Sequence, residues 1–510
     1  MATRPTVRAT HGLVASGHHL ATTAGVEALR DGGNAIDAAV TAAAVCAVVL
    51  PARTSIGGDL FALVHDARSR AITAFNGSGR SPKRMTPDRF PDGFPERGPQ
   101  LVTVPGVLAA WSELLARHGT FDLARALDPA MRYAEEGFPV SDLLAAAIAA
   151  HRDVLSADPG CAATFLPRGR PPRAGEVLTQ PDLARSLGLV ADHGAEVFYR
   201  GELGELFVSA FEAAGGVLTA DDLAAHDTVI REPLVLEYRG LRVHGQPPVS
   251  QGHVLLEELA IVAQDDLREI AWGSADLVHL MVEAKKLAFA DRDEVAGDVP
   301  GFDPKLLFTP DRAAERRLQI GGRAADHTTY LAAIDRDGNA VSLIESIFSE
   351  FGAGFIAPGT GIVANNRLTG FSLDSRSPNA LGPAKRPVHT LNTVLVTDGA
   401  RPRFIFGTPG RHAQVQTNFQ LAVGLIDFEL DVQDAIDAAR WYHERGRRLQ
   451  LEGRWPETVR RALSAKGHQV DVIADWAPVT GGAQAIAVDR ETGVFSGGAD
   501  PRREGYAAGY

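Results

Sequence analysis

The feature that most constrains this chain is an abrupt change of pattern at Thr328. Upstream, residues 293–327 are rich in Pro, Gly, Asp and Arg and show no clear periodicity. From Thr328 the residues run Thr-Thr-Tyr-Leu-Ala-Ala-Ile-Asp, which reads as a strand. Arg336-Asp337-Gly338-Asn339 supplies turn residues, and 340–347 reads as the returning strand of a hairpin.

The rest of the chain alternates helix and strand. Residues 20–50 read as helix, interrupted by a Gly32-Gly33 turn, with Asn34 placed to cap the second half and Pro51 closing it. Ser55-Ile56-Gly57-Gly58-Asp59 leads into a strand over 60–65, and a second strand follows over 71–76. Helical stretches are expected over 106–152, 181–226 and 252–292, and strands over 361–365, 393–397 and 403–406. A helix from Gln414 and a last hairpin around 489–493 complete the pattern. Length alone favours about three domains, with one large α/β unit equally admissible. Paired strands with helices outside would stack as an α/β/β/α sandwich.

Composition narrows the function classes. The net charge of -12, from 51 basic and 63 acidic residues, argues against nucleic-acid binding, and no Lys/Arg-rich run opposes this. Two cysteines, Cys46 and Cys161, build neither a disulfide framework nor a cysteine zinc site. The longest apolar stretch, 35–50, contains Asp37 and Thr41; it reads as a buried core helix, and no membrane contact is expected. Residues 1–16 lack the apolar run of a secretory signal, so a cytoplasmic protein is expected. Gly57-Gly58 is not followed by Gly-Lys-Ser/Thr, which leaves a turn rather than a phosphate loop. His18-His19 and the scattered histidines show no metal spacing and read as surface residues; neither metal nor cofactor is expected. Asp291 and Asp293 read as structural partners of Arg292.

A series of short motifs then runs in order along the chain. It begins with Gly32-Gly33-Asn34-Ala35-Ile36-Asp37-Ala38-Ala39, Ile56-Gly57-Gly58, Val104-Pro105-Gly106 and Ala134-Glu135-Glu136-Gly137-Phe138. It continues through Glu283-Ala284-Lys285, Ala290-Asp291-Arg292, Thr328-Thr329 and Asp337-Gly338-Asn339-Ala340-Val341. Gly359-Thr360-Gly361-Ile362, Asn365-Asn366, Lys385-Arg386-Pro387 and Gly498-Ala499-Asp500-Pro501-Arg502 close it. With these motifs the chain resembles the γ-glutamyltranspeptidase family of N-terminal-nucleophile hydrolases nearly from end to end. The resemblance implies a four-layer α/β/β/α sandwich with two stacked antiparallel sheets. It also implies a precursor that cuts its own His327–Thr328 bond, giving a large chain 1–327 and a small chain 328–510 in one globular unit. That two-chain unit is free to oligomerise.

The chemistry of such a cut is self-consistent. A threonine hydroxyl needs a base, and cleavage supplies one, because a free α-amino group has a pKa of about 7.7–8.0. It can take the hydroxyl proton during attack and return it to the leaving group. Donors for the oxyanion, worth roughly 3–4 kcal/mol each, are by resemblance the backbone amides of Gly410 and Arg411 in Gly407-Thr408-Pro409-Gly410-Arg411. Arg411 stands where the family has a second glycine, so the hole persists only if the backbone there suits arginine. Ser346 replaces a family threonine that hydrogen-bonds the N-terminal residue, and Tyr330 replaces the family's histidine after the threonine pair.

The substrate pocket departs further. Ser78, in Ser78-Gly79-Arg80-Ser81-Pro82, replaces the arginine that pairs a γ-glutamyl carboxylate, and Gly370 replaces the acidic residue that holds its ammonium. Arg367 replaces a glutamine, His389 and Thr390 a serine pair, and Phe348 an asparagine. Losing buried charge partners costs several kcal/mol, so glutathione is expected to be a poor substrate. Arg367 and Arg411, with Arg80 near in sequence, suit a carboxylate instead. The expected substrate is a small acidic or oxalyl/2-oxoacyl compound cleaved at an amide. The alternative is C–C cleavage that removes an oxalyl group, as in a family branch of alkylproline-type antibiotic biosynthesis; a γ-glutamyl hydrolase or transferase comes third, and a non-enzymatic scaffold last. A surface role for Arg367 is the plainer reading of that residue. The short segment 373–384 implies an open site without a long lid.

Overall fold

In a computed structural model, which describes residues 3–318 and 329–510, the hairpin after Thr328 lies at the centre of a seven-stranded sheet. Strands Thr329–Asp335 and Ala340–Ser346 pair antiparallel, from Thr329 opposite Glu345 to Ile334 opposite Ala340. Gly12–Ser16 and Tyr506–Gly509 flank the first; Asp59–His65, Ile72–Gly77 and Val229–Arg231 flank the second. The second seven-stranded sheet runs in the order Val7–Ala9, Phe495–Ala499, Gln484–Val488, Arg401–Gly407, Val394–Asp398, Leu241–Gly245, Leu234–Tyr238.

Strand periodicity explains the layers. Tyr330, Ala332 and Ile334 join Ile344, Phe61 and Leu63 in a core shared with Leu395, Ile405 and Ile486 of the other sheet. The alternate residues Leu331, Ala333, Val341 and Leu343 face the helices outside. These strands are buried on both faces, which only a sheet enclosed between two layers allows. Helices Ala35–Val49, His19–Arg30 and Val107–His118 cover the first sheet; Gly252–Val262 and Ala413–Ile426 cover the second. The α/β/β/α sandwich with two antiparallel sheets is therefore the fold.

All 15 residues of Ala35–Val49 are buried. Asn34 caps the helix in a reciprocal box with Asp37, whose carboxylate also accepts from the N–H groups of Thr120 and Phe121. Replacing Asn34 by Ala should cost about 1 kcal/mol. Cys46 in this helix is buried, and burial pushes its thiol well above the ordinary range. No helix among the described residues is long and apolar enough to cross a membrane.

Three expectations need correction. Residues 361–365 form no strand: the segment makes one isolated bridge, Ile356 to Val363, because the Asn365 side chain takes over the bonding by reaching Gly57 O and Thr103 O. The stretch after residue 293 is not all irregular, since the helix Ala275–Val295 continues into it and Pro310–Arg317 is a further helix. Arg312 and Arg316 of that helix, not Arg292, pair with Asp291.

Candidate functional site

The motif residues gather at one end of the two sheets, where the central hairpin meets the loop after strand Arg401–Gly407. Gly407 is held against Tyr330: a Cβ at Gly407 would lie 2.4 Å from Tyr330 Cε2. The Tyr330 hydroxyl is anchored on Ser342 Oγ at 2.7 Å. Beyond Gly407, the Thr408 hydroxyl accepts from Gly482 N–H at 2.9 Å and donates to Pro409 O at 2.7 Å, fixing the loop. Thr329, Pro409 and Gly482 together line a cavity of about 10 Å³. Thr328 and His327 lie outside the described residues.

Gly410 has φ 139° and Arg411 has φ 49°. Arginine thus occupies the left-handed backbone that glycine takes without cost, and a side chain there carries strain on the order of 1–3 kcal/mol. Ser346 is fully buried at the end of its strand, opposite Asp59, and its hydroxyl accepts from Phe348 N–H at 2.9 Å. Gly58 is packed on it, since a Cβ would meet Ser346 O at 2.5 Å. Gly57-Gly58 is thus a close-packed turn.

The pocket positions separate into three groups. Arg367 is fully buried, which rules out the surface reading, and its Nε donates to Asp59 Oδ2 at 2.9 Å. Asp59 also accepts from Gly79 N–H at 3.0 Å; burial raises its pKa, against the pull of Arg367 and that N–H. Nη1 and Nη2 of Arg367 have no hydrogen-bond partner among the described residues. The guanidiniums of Arg367 and Arg411 lie over the Phe348 ring at 4.6 and 5.8 Å from its centroid. Arg411 also reaches Ser349 Oγ at 3.5 Å.

Ser78 is buried beside this cluster, its hydroxyl donating to Asn76 Oδ1 at 2.6 Å and its carbonyl accepting from Arg386 Nε at 2.9 Å. Arg80 points elsewhere, between Asp227 and Asp298 at 3.7 Å each, with its side chain 37% exposed. His389 packs on Phe61 at 5.0 Å between ring centroids, and burial, with Arg367 and Arg386 adding to it, holds its pKa well below the usual value.

Thr390 lines an open cavity of about 430 Å³ together with Phe348, Gly370, Gln251, Arg292 and His412. Sequence reasoning missed the last three. Arg292 lies in a recognised motif but was read as structural, and His412 directly follows Arg411. Asn379 and Ser377, in the short segment 373–384, form part of the rim.

A family model described as γ-glutamyltranspeptidase matches residues 21–510. The chain belongs to the γ-glutamyltranspeptidase family. It is 39% identical, over 98% of both chains, to a glutathione hydrolase-like proenzyme, YwrD, of Bacillus subtilis. It is 36% identical to an oxamate amidohydrolase proenzyme of Klebsiella pneumoniae, over 98% of this chain and 99% of that one. The structure superposes on a cephalosporin acylase from Bacillus halodurans with a TM-score of 0.94 and 38% identity, covering 100% of this chain and 98% of that one. This member of the γ-glutamyltranspeptidase family is thus an N-terminal-nucleophile hydrolase made as a proenzyme.

The histidines of this γ-glutamyltranspeptidase-family enzyme are less peripheral than their spacing implied. His18 is buried and caps helix His19–Arg30, its Nδ1 accepting from Leu20 N–H. His279, Glu283 and His468 converge with their ligand-type atoms within 4.8 Å, a cluster invisible in sequence because 185 residues separate Glu283 from His468 (468 less 283). Lys286 already pairs with Glu283 there, and His279 Nδ1 meets His468 Nε2 at 2.8 Å.

Proposed function

We propose that this enzyme cleaves its own His327–Thr328 bond and then uses Thr328 as nucleophile to hydrolyse an acyl bond of a small acidic substrate. The observation that carries the proposal is the meeting of Thr329 with Pro409 around one small cavity, beside the contact of Tyr330 with Gly407. Thr329, next in sequence to the proposed nucleophile, is thereby tied to the loop whose Gly410 and Arg411 amides would receive an oxyanion. Ser346 follows Glu345, the register partner of Thr329, at the end of its strand.

In the precursor the Thr328 hydroxyl attacks the carbonyl carbon of His327; the peptide C–N bond breaks, an ester forms, and water opens it. In the mature enzyme the freed α-amine accepts the hydroxyl proton as the oxygen attacks the substrate carbonyl. It then passes that proton to the leaving group. Water, activated by the same amine, hydrolyses the acyl ester and restores Thr328.

The substrate reading rests on charge. Asp59 and Gly79 occupy the place beside Ser78, while Arg367 and Arg411 flank Phe348. Cations with no acidic residue at position 370 favour an acyl group bearing a carboxylate or a 2-oxo acid over a γ-glutamyl group. The names of the relatives include an amidohydrolase of oxamate, a compound of that kind.

Denaturing electrophoresis and N-terminal sequencing test the first step: two fragments beginning at residues 1 and 328 are expected, and Thr328→Ala should remain one chain. An intact wild-type chain with undiminished hydrolytic activity would overturn the reading. Rates on oxamate, a 2-oxoacyl alkene and γ-glutamyl-p-nitroanilide, measured side by side, test the second. The oxamate amide is expected to exceed the γ-glutamyl anilide, and the reverse order would refute the pocket assignment.

A further inference from the structure

Arg292 sits in the wall of the 430 Å³ cavity, and a guanidinium only donates hydrogen bonds. Its Nε and Nη2 donate to Asp293 Oδ1 at 2.9 and 2.6 Å. Its Nη1 lies 2.7 Å from His412 Nδ1 and 3.3 Å from Gln251 Oε1. Both contacts fix atom identities that are otherwise ambiguous. His412 Nδ1 must present its lone pair to Arg292. Burial, then Arg292, Lys285 and Arg411, hold His412 well below its usual pKa, so the neutral ring carries its proton on Nε2. The Gln251 carbonyl must likewise face Arg292, which turns its NH2 group away.

Gln251 is fully buried, and its Nε2 has no acceptor among the described residues. Thr390 is 6% exposed in the same wall, and its hydroxyl has no partner among the described residues either. Asp293, which lines the same cavity, is engaged by Arg292 through Oδ1. Glu258, also close to Arg292, is buried and raised to about 8. The wall therefore holds two buried polar groups, Gln251 Nε2 and Thr390 Oγ1, without partners among the described residues, and buried groups of this kind are rarely left unmatched.

We infer that Gln251 and His412, oriented by Arg292, form a subsite that receives the oxygen acceptors of the substrate's acidic end, a carboxylate or 2-oxo acid group. Arg292 is a positioning residue: it touches Gln251 and His412, and these two touch the ligand. The inference deepens the proposed function and rests on the cavity being the substrate site.

The test is calorimetric titration of the self-processed protein with oxalate, succinate and glutarate, with butyramide as the neutral control. The wild type should bind at least one dicarboxylate. Gln251→Glu keeps an oxygen toward Arg292 but removes the donors, and should weaken that binding at least tenfold. His412→Phe should do the same, and His412→Gln, which restores an N–H, should recover at least threefold of the loss. Butyramide binding should change less than threefold in all variants. Absence of dicarboxylate binding by the wild type, or binding within threefold of wild type in both Gln251→Glu and His412→Phe, would overturn the subsite. Where His412→Phe melts early, Gln251→Glu and His412→Gln carry the test. Failure to cut at 327/328 would sink the proposed nucleophile, whereas a normal cut with unchanged binding sinks only the subsite.

Discussion

The ring of Tyr330 lies so close to Gly407 that a Cβ there would sit 2.4 and 2.5 Å from two ring carbons. This contact ties the first strand of the central hairpin to the loop that carries Gly410 and Arg411. It sets the distance between the two halves of the proposed site.

Gly407→Ala should therefore separate them. Overpacking of this kind costs about 1–3 kcal/mol, and self-cleavage should slow at least tenfold. Tyr330→Leu in the same chain should recover half or more of the lost stability and rate. Thermal melting and a gel time course read both; a Gly407→Ala protein that melts and matures like wild type would remove the contact from the account.

Arg411 pays for its position with a φ of 49°. Arg411→Gly should raise stability by about 1 kcal/mol through relief of left-handed strain, while the affinity for a carboxylate-bearing substrate falls. Chemical denaturation alongside KM measurements checks the two opposite signs. A loss of stability on this change would show that the guanidinium contacts outweigh the backbone strain.

Asp59 and Arg367 form a fully buried ion pair at 2.9 Å. Removing one partner strands the other, so Asp59→Asn should destabilise the protein by about 3–5 kcal/mol. A change below about 1 kcal/mol in denaturant unfolding would mean that Arg367 finds other partners.

Glu345, the register partner of Thr329, is pushed up to about 8 by burial, from an ordinary carboxyl value of about 4.5. The folded protein holds this proton while the unfolded chain has released it. Stability is thus lost as pH rises from about 4.5 to about 8, reaching on the order of 3 kcal/mol at pH 7. Glu345→Gln should flatten that part of the pH–stability curve and raise the melting temperature at pH 7. An unchanged slope between pH 5 and 8 would contradict the assignment.

Much of the fold was legible because local chemistry decides it. Asn34 before an apolar run, the Asp-Gly-Asn turn at 337–339 and the short apolar run from Tyr330 to Ile334 before that turn each specify an element within a few residues. The exceptions are instructive. Residues 361–365 look like a strand, yet the Asn365 side chain bonds the backbone of Gly57 and Thr103 in place of a ladder. Helix Pro310–Arg317 escapes notice because its stability comes from Arg312 and Arg316 meeting Asp291, about twenty residues back in the chain.

The sequence by itself determined the family, the hairpin of Thr329–Asp335 with Ala340–Ser346, and which residue types stand at positions 78, 367, 370 and 389. Those are matters of residue identity and order. Tertiary structure alone decided which of the new cations meet: Arg367 is drawn inward by Asp59, and Arg80 outward by Asp227 and Asp298. It alone set Arg292 against Gln251 and His412 in one wall. A buried charge goes where its partner is, and partners brought from 41 and 120 positions away are chosen by packing, which no local pattern encodes.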